Sequence, residues 1–332
     1  MIEKTQISLY QTVYPVFLFS KIFGFCTVNL DPKGYRQSLI SFLWCLLAFA
    51  FYLFSIINHV LGSDLFPKNR NWILLIVNTL NSFTRMVSLI LLSAIMLLSG
   101  PRIVKILQQI VQIDRDLASL NIKTNVKNFD KYVKLAVLAQ SCHYLLYIIL
   151  QYSVMHQHQG FEGLLGDVSF IVAATVATLN TGVVLHQFLV LAWLLKKRFE
   201  WLNREFDNFY HNFKKFDSNS LNKSRELSVV TYLISLNTTH KKIRDAANTL
   251  QRVYATVNLI IILKGAISST AAIHYLLDIR YVHYNESIAL INKLKAFWSI
   301  FINGFYIVTL TLISSRTADE VIVYKRNLTT FN

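Results

Sequence analysis

The residues of this chain that could do chemistry are polar and aromatic side chains set inside long apolar segments. Asn78, Ser82 and Arg85 follow a helical spacing and share one face, as do Tyr147 and Gln151 in a later segment. Aromatic walls with a few hydrogen-bonding groups suit a small-molecule pocket, although the same groups also join helices in membranes. The candidate ligand-binding residues are Asn78, Ser82, Arg85, Tyr147, Gln151, Thr175, Ser269, His274, Trp298, Asn303 and Tyr306.

The sequence shows no group of residues with the types and spacing of a catalytic or metal-binding site. The apolar segments contain no Asp or Glu, which disfavours ion-coupled carriers and intramembrane aspartyl chemistry. His156 and His158 stand two residues apart without a third ligand. We therefore predict no enzyme activity, no cofactor and no metal site.

Two basic residues lie near the middle of apolar segments, Arg85 and Lys264. A charge at that depth is costly and requires a partner or a water-filled cavity. Because the segments lack carboxylates, we expect carbonyl groups, aromatic faces, water or a ligand to fill that role.

The apolar segments themselves predict the fold class. The 332 residues are 54% hydrophobic and only 15% charged, against about 25% charged in a typical soluble domain. Segments long enough for a membrane-crossing helix predict an all-α bundle of six transmembrane helices with cytosolic helix extensions. These segments are 39–60, 72–99, 135–155, 168–194, 254–277 and 296–315.

The basic residues predict the orientation. One set of alternate segments holds 26 of the 33 Lys and Arg residues and the other holds five, so the rich set is placed in the cytosol and explains the net charge of +15 without nucleic acid. Anionic lipid would add to this preference. The predicted organisation is a cytosolic amino terminus 1–38, four helices in 39–194, a cytosolic region 195–253, two helices in 254–315 and a cytosolic tail 316–332.

Residues 10–30 are apolar and aromatic but contain Lys21. We favour an interfacial amphipathic segment here over a seventh span. Either assignment leaves the other six spans unchanged.

The cytosolic region carries a regular apolar seam. Phe199, Leu202, Phe206, Phe209 and Phe213 are three or four residues apart, and Leu250 belongs to a similar series that leads into the fifth span. Two long helices are expected to pack together or to anchor neighbouring subunits. By contrast, the run 113–117 is predicted to lie on a solvated helix.

Several motifs resemble those of insect gustatory receptors. They are Tyr10-Gln-Thr-Val-Tyr-Pro-Val-Phe leading to Phe23-Gly-Phe, Leu194-Leu-Lys-Lys-Arg-Phe-Glu-Trp-Leu-Asn, and His240 followed by Ala247-Asn-Thr-Leu-Gln-Arg-Val-Tyr. The resemblance implies a tastant-gated, non-selective cation channel in the plasma membrane of sensory neurons. It also implies a homo- or hetero-tetramer of related receptors, joined by the cytosolic helices.

The sequence departs from that family at its carboxyl end. The family has a seventh, pore-lining span with Thr-Tyr and Gln-Phe, whereas this chain runs from Ser314 to Asn332 without one. We expect a truncated isoform, an incomplete gene prediction or a degenerate receptor, and no pore residues are assigned.

Two other classes stay open from the residues alone. A G-protein-coupled type of receptor would use 10–30 as its first span and place the amino terminus outside. Against it, the sequence has no Asp-Arg-Tyr-like triplet or Asn-Pro-x-x-Tyr at the relevant helix ends. A membrane transporter is the second alternative, disfavoured by spans without carboxylates.

Glycosylation tests the predicted orientation. Asn285 begins the sequon Asn-Glu-Ser in an external loop, whereas the sequon at Asn237 is cytosolic in the same scheme. We expect Asn285→Gln to abolish the glycosidase-sensitive mobility shift of the expressed protein, with Asn237→Gln as the matched control. A shift that survives Asn285→Gln but disappears in Asn237→Gln would reverse the orientation.

Overall fold

A computed structural model describes residues 2–31, 34–62, 72–122, 127–158, 164–214, 223–277 and 286–329. The sequon residue Asn285 lies outside these ranges. Within them the chain is an all-α multi-span bundle with one short antiparallel hairpin, which confirms the predicted fold class. The elements are α1 Ile2–Ile22, β1 Val28–Asp31, β2 Gly34–Gln37, α2 Leu39–Gly62, α3 Trp72–Ser119, α4 Lys127–His158, α5 Leu164–Lys214, α6 Lys223–Leu277 and α7 Glu286–Thr329.

Six of the described helices, α2 to α7, are long and apolar enough to cross a membrane. Each predicted span falls inside a different one of them. Helices suit this role because their backbone hydrogen bonds are made within the segment. The chain is therefore a multi-pass membrane protein.

Four of the helices are much longer than a bilayer requires. Helices α3, α5, α6 and α7 contain 48, 51, 55 and 44 residues. At a rise of 1.5 Å per residue they measure about 65–80 Å, more than twice the hydrocarbon thickness. We call residues 100–119 of α3, 195–214 of α5 and 223–253 of α6 the extension bundle.

The predicted seam packs inside the extension bundle of one chain. Phe199, Leu202, Phe206 and Leu250 are buried, and the rings of Phe209 and Tyr232 lie 5.3 Å apart between α5 and α6. The side chain of Phe213 is outside the described residues. The seam residues therefore join helices of the same subunit, and the assembly of several subunits stays a prediction.

A buried ion pair crosses the extension bundle. Arg198 Nη2 on α5 donates to Asp114 Oδ2 on α3 at 2.6 Å, with side chains 1% and 5% exposed. Arg198 Nη1 also donates to the Leu194 carbonyl at 2.6 Å. The prediction of a solvated helix over 113–117 is wrong, because Ile113 and Leu117 pack into the core on the same face as Asp114.

The amino-terminal segment packs as part of the bundle. Leu9, Val13 and Phe17 are buried on one face of α1, which contacts α4 and α5. The predicted segment 10–30 thus forms most of α1 and part of the hairpin, and its depth in the bilayer stays a prediction. The hairpin lies against α3 at Gly100, where an added Cβ would clash with the Thr27 hydroxyl.

The two carboxylates of α3 provide a matched stability test. Asp114→Asn leaves the Arg198 charge buried without its counter-ion, which typically costs about 3–5 kcal/mol. Asp116→Asn removes only a partly exposed pair with Lys242, 2.7 Å long, for which about 0–1 kcal/mol is typical. Thermal unfolding of the two purified variants in one detergent should show a much larger loss for Asp114→Asn. Equal losses would contradict the role of the buried pair.

Candidate functional site

Side chains from five helices line a cavity of about 360 Å³. Its size is at the lower end of the range for small-molecule sites. Among the described residues, α3, α4, α6 and α7 provide most of the lining, and α5 provides Ala177. The lining residues are Asn81, Ser82, Arg85, Met86, His143, Tyr147, Ala177, Lys264, Ser268, Ala271, Ala272, Tyr275, Lys295, Ala296, Trp298, Ser299, Ile302, Asn303 and Tyr306.

The cavity brings together six of the eleven candidate ligand-binding residues predicted from the sequence. They are Ser82, Arg85, Tyr147, Trp298, Asn303 and Tyr306. Their union across three helices places aromatic rings beside hydrogen-bonding groups. Side chains of Asn78 and Gln151 are outside the described residues.

Three other candidates do not line the cavity: Thr175, Ser269 and His274. On α6 the lining face runs through Lys264, Ser268 and Ala272, so Ser269 and His274 fall on neighbouring faces. Thr175 is buried on α5, but the residue of that helix that reaches the cavity is Ala177. Sequence spacing gives shared faces but not the direction in which a face points.

Lys264 ties α6 to α5 at the cavity wall. Its Nζ donates to the Ala177 carbonyl, to Asn180 Oδ1 at 2.7 Å and to Thr181 Oγ1 at 2.7 Å. The carbonyl oxygens confirm one of the expected kinds of partner, whereas the Thr181 hydroxyl is a partner that was not among those expected. The cost of its burial is offset by these hydrogen bonds.

The aromatic side of the cavity is fixed by a contact between α4 and α7. Trp298 Nε1 donates to His143 Nδ1 at 2.7 Å, and the two rings lie 5.6 Å apart. This bond requires the His143 tautomer that carries its proton on Nε2. This bond holds the indole ring of Trp298, which lines the cavity, because the ring cannot rotate without losing it.

A second contact between α4 and α7 lies next to Gly182 of α5. The Gln140 side-chain amide and the Tyr306 hydroxyl exchange hydrogen bonds of 3.2 and 3.3 Å. An added Cβ at Gly182 would clash with both groups. Glycine at this position therefore lets three helices approach one another closely.

Sequence reasoning missed several lining residues. Lys295 lies one residue before the predicted span 296–315 and was therefore not considered. Its ammonium group lies 6.0 Å from the centre of the Tyr147 ring. Asn81 accepts a hydrogen bond of 2.9 Å from Ser268, joining α3 to α6. Its spacing of four residues from Arg85 was the available signal.

The arrangement favours binding over reaction. Arg85, Lys264 and Lys295 bring positive charge to the wall, and within the described part of the chain no Asp or Glu lines it. The remaining polar groups are amides, hydroxyls and one imidazole. Such a site can orient a small molecule through charge pairing, hydrogen bonds and ring contacts.

Comparison with protein families gives a match that spans all five cavity helices. A family model described as 7tm Chemosensory receptor matches residues 13–322. This match confirms the resemblance carried by the motifs at 10–25, 194–203 and 240–254. No curated protein matches the chain.

Glycine substitutions test the close packing beside the cavity. Gly182→Ala forces Gln140 and Tyr306 apart, and overpacking of this kind typically costs about 1–3 kcal/mol. Gly304→Ala on α7 is the matched control, because an added Cβ there meets no atom within 4 Å. Thermal unfolding in detergent should show a loss only for Gly182→Ala. Similar melting of both variants would show that the helices have room at Gly182.

Proposed function

Because the chain belongs to the 7tm chemosensory receptor family, we propose that it is a gustatory receptor whose cavity binds a small-molecule tastant. It acts as a subunit of a non-selective cation channel in the plasma membrane of sensory neurons. In this proposal the amino terminus and the extension bundle face the cytosol. The observation that best supports this proposal is the cavity, which is lined by five helices of a chain that belongs to a chemosensory receptor family.

Cavity size and chemistry support a tastant site. A volume of about 360 Å³ accommodates a small organic molecule, and the lining mixes rings with hydrogen-bonding groups. Ser82, Asn303 and Ser299 provide such groups from α3 and α7. Since this is not an enzyme family, recognition rather than turnover is the natural use of the site.

Helix continuity supports coupling of the cavity to the rest of the receptor. Helices α3, α5 and α6 line the cavity and continue into the extension bundle, α5 and α6 without an internal proline and α3 through Pro101. A ligand that changes their spacing at the cavity therefore acts on the same rigid elements that pack far from it. Gating by ligand requires such a connection, because a ligand shifts an equilibrium only through elements that differ between two states.

An exposed apolar stripe supports assembly of several copies. Leu227, Val230 and Ile234 of α6 are 71%, 51% and 60% exposed and are spaced by three and four residues. A stripe with this spacing is the pattern that a second helix covers. We assign it to contact between subunits of a tetramer, since the seam residues predicted for that role are already covered within one chain.

Filling the cavity tests the proposal. Ala272→Phe places a ring in the lining, whereas Ala266→Phe adds the same ring to an exposed position six residues earlier on α6. We expect tastants that raise the melting temperature of the purified wild-type chain to lose that effect in Ala272→Phe but not in Ala266→Phe. The same pattern is expected for tastant-evoked cation current in cells that express the chain with related receptors.

The proposal has a clear contrary outcome. If a broad tastant panel neither stabilises the wild-type chain nor evokes current, the cavity is not a receptor site. If ligands bind equally to wild type and Ala272→Phe, binding occurs elsewhere in the protein.

A further inference from the structure

The charge of the cavity wall is unbalanced. Arg85 on α3, Lys264 on α6 and Lys295 on α7 all line the cavity, and the lining residues that the structure describes include no Asp or Glu. The predicted spans, which contain every lining residue named above except Lys295, also have no Asp or Glu. Positive side chains that line one cavity repel one another, and a bound anion lowers that repulsion.

We propose that the cavity binds a small organic acid in its carboxylate form, with Arg85 as the residue that pairs with the carboxylate. This inference rests on the proposed function, because it names the chemical class of the ligand for the same cavity. It goes further by making charge, rather than shape alone, the basis of selection.

Arg85 is the residue best suited to direct contact. Its guanidinium group presents a planar set of donors that matches the two oxygens of a carboxylate. Within the described part of the chain, the ion pairs do not include Arg85. Asn81 and Ser82 lie four and three residues before Arg85 on α3, about one helical turn away, and add neutral hydrogen-bonding groups on the same face of the helix.

The two lysines have different roles. Lys264 already donates to three oxygen acceptors of α5, so it contributes its positive field from a fixed position. Lys295 lies over the ring of Tyr147, with its ammonium 6.0 Å from the ring centre. Its flexible stem allows the charge to approach an anion from the α7 side.

The apolar part of the wall favours an organic anion over an inorganic one. Met86, Ala271, Ala272 and Ile302 line the cavity together with the indole of Trp298. A phosphate or chloride ion would leave this surface uncovered, whereas the body of an organic acid buries it. A short aromatic acid such as benzoate combines both features and is the natural probe.

The test compares benzoate with benzamide, which has the same ring and nearly the same shape but no charge. Melting curves of the purified full chain at pH 7.4 give the affinity for each probe and for sodium phosphate. We expect wild type to bind benzoate more tightly than benzamide or phosphate. Arg85→Gln should weaken benzoate by about tenfold or more, because a desolvated charge pair is lost, and should leave benzamide nearly unchanged.

Matched controls separate a site effect from a fold or net-charge effect. Arg252→Gln removes one positive charge from an exposed position of α6 and should not alter the benzoate affinity. Arg85→Lys keeps the charge but loses the planar pairing and should fall between wild type and Arg85→Gln. An unchanged melting temperature of each ligand-free variant shows that it is folded.

Several outcomes would overturn the inference. They are equal affinity for benzoate and benzamide, phosphate binding as tight as benzoate binding, or an equal loss in Arg85→Gln and Arg252→Gln. In these cases neutral tastants that bind wild type but not Ala272→Phe would leave the receptor proposal intact. If neither charged nor neutral probes from the tastant panel bind wild type, the receptor proposal fails and the inference fails with it.

Discussion

The burial of α5 on all sides is the constraint on which the rest of the bundle depends. Its apolar window is 81% buried, whereas those of the other candidate spans are 17% to 44% buried. Helices α1, α3, α4, α6 and α7 all pack against it. Because a polar side chain on such a helix has no access to solvent, it must find its partner on a surrounding element.

Three polar positions along α5 fix the arrangement of those surrounding elements. Near the cavity, Asn180 accepts from Lys264 of α6 at 2.7 Å. Seven residues further along α5, the Gln187 side chain donates to the Phe25 carbonyl at 3.1 Å and accepts from the Tyr254 hydroxyl at 3.0 Å. In the extension bundle Arg198 pairs with α3. Apolar packing alone tolerates sliding by a turn, whereas these spaced contacts are satisfied in one register only.

The sequence predicts the elements well and their mutual arrangement poorly, for physical reasons. Long apolar segments identify the six spans because hydrocarbon thickness sets their length. Which side of α6 faces the cavity depends on neighbours far along the chain, so Ser268 and Ser269 are not distinguishable in advance. Asp114 was placed on a solvated helix for the same reason, since its partner Arg198 is 84 residues away. Lys21 led to the prediction that residues 10–30 form an interfacial segment. The apolar stripe that contains Leu9 and Phe17 packs in the core.

The uninterrupted length of α6 gives the receptor a mechanical property. Lys264 at the cavity and Val230 in the extension bundle lie on the same helix, 34 residues and therefore about 51 Å apart. A helix of this length is stiff, and α6 would tilt about its contacts with α5. A tilt of about 5° moves the far end by about 4 Å, an amplitude comparable to the rise of one helical turn. A small tilt of α6 at the cavity would therefore produce a larger displacement of the exposed stripe that contains Val230.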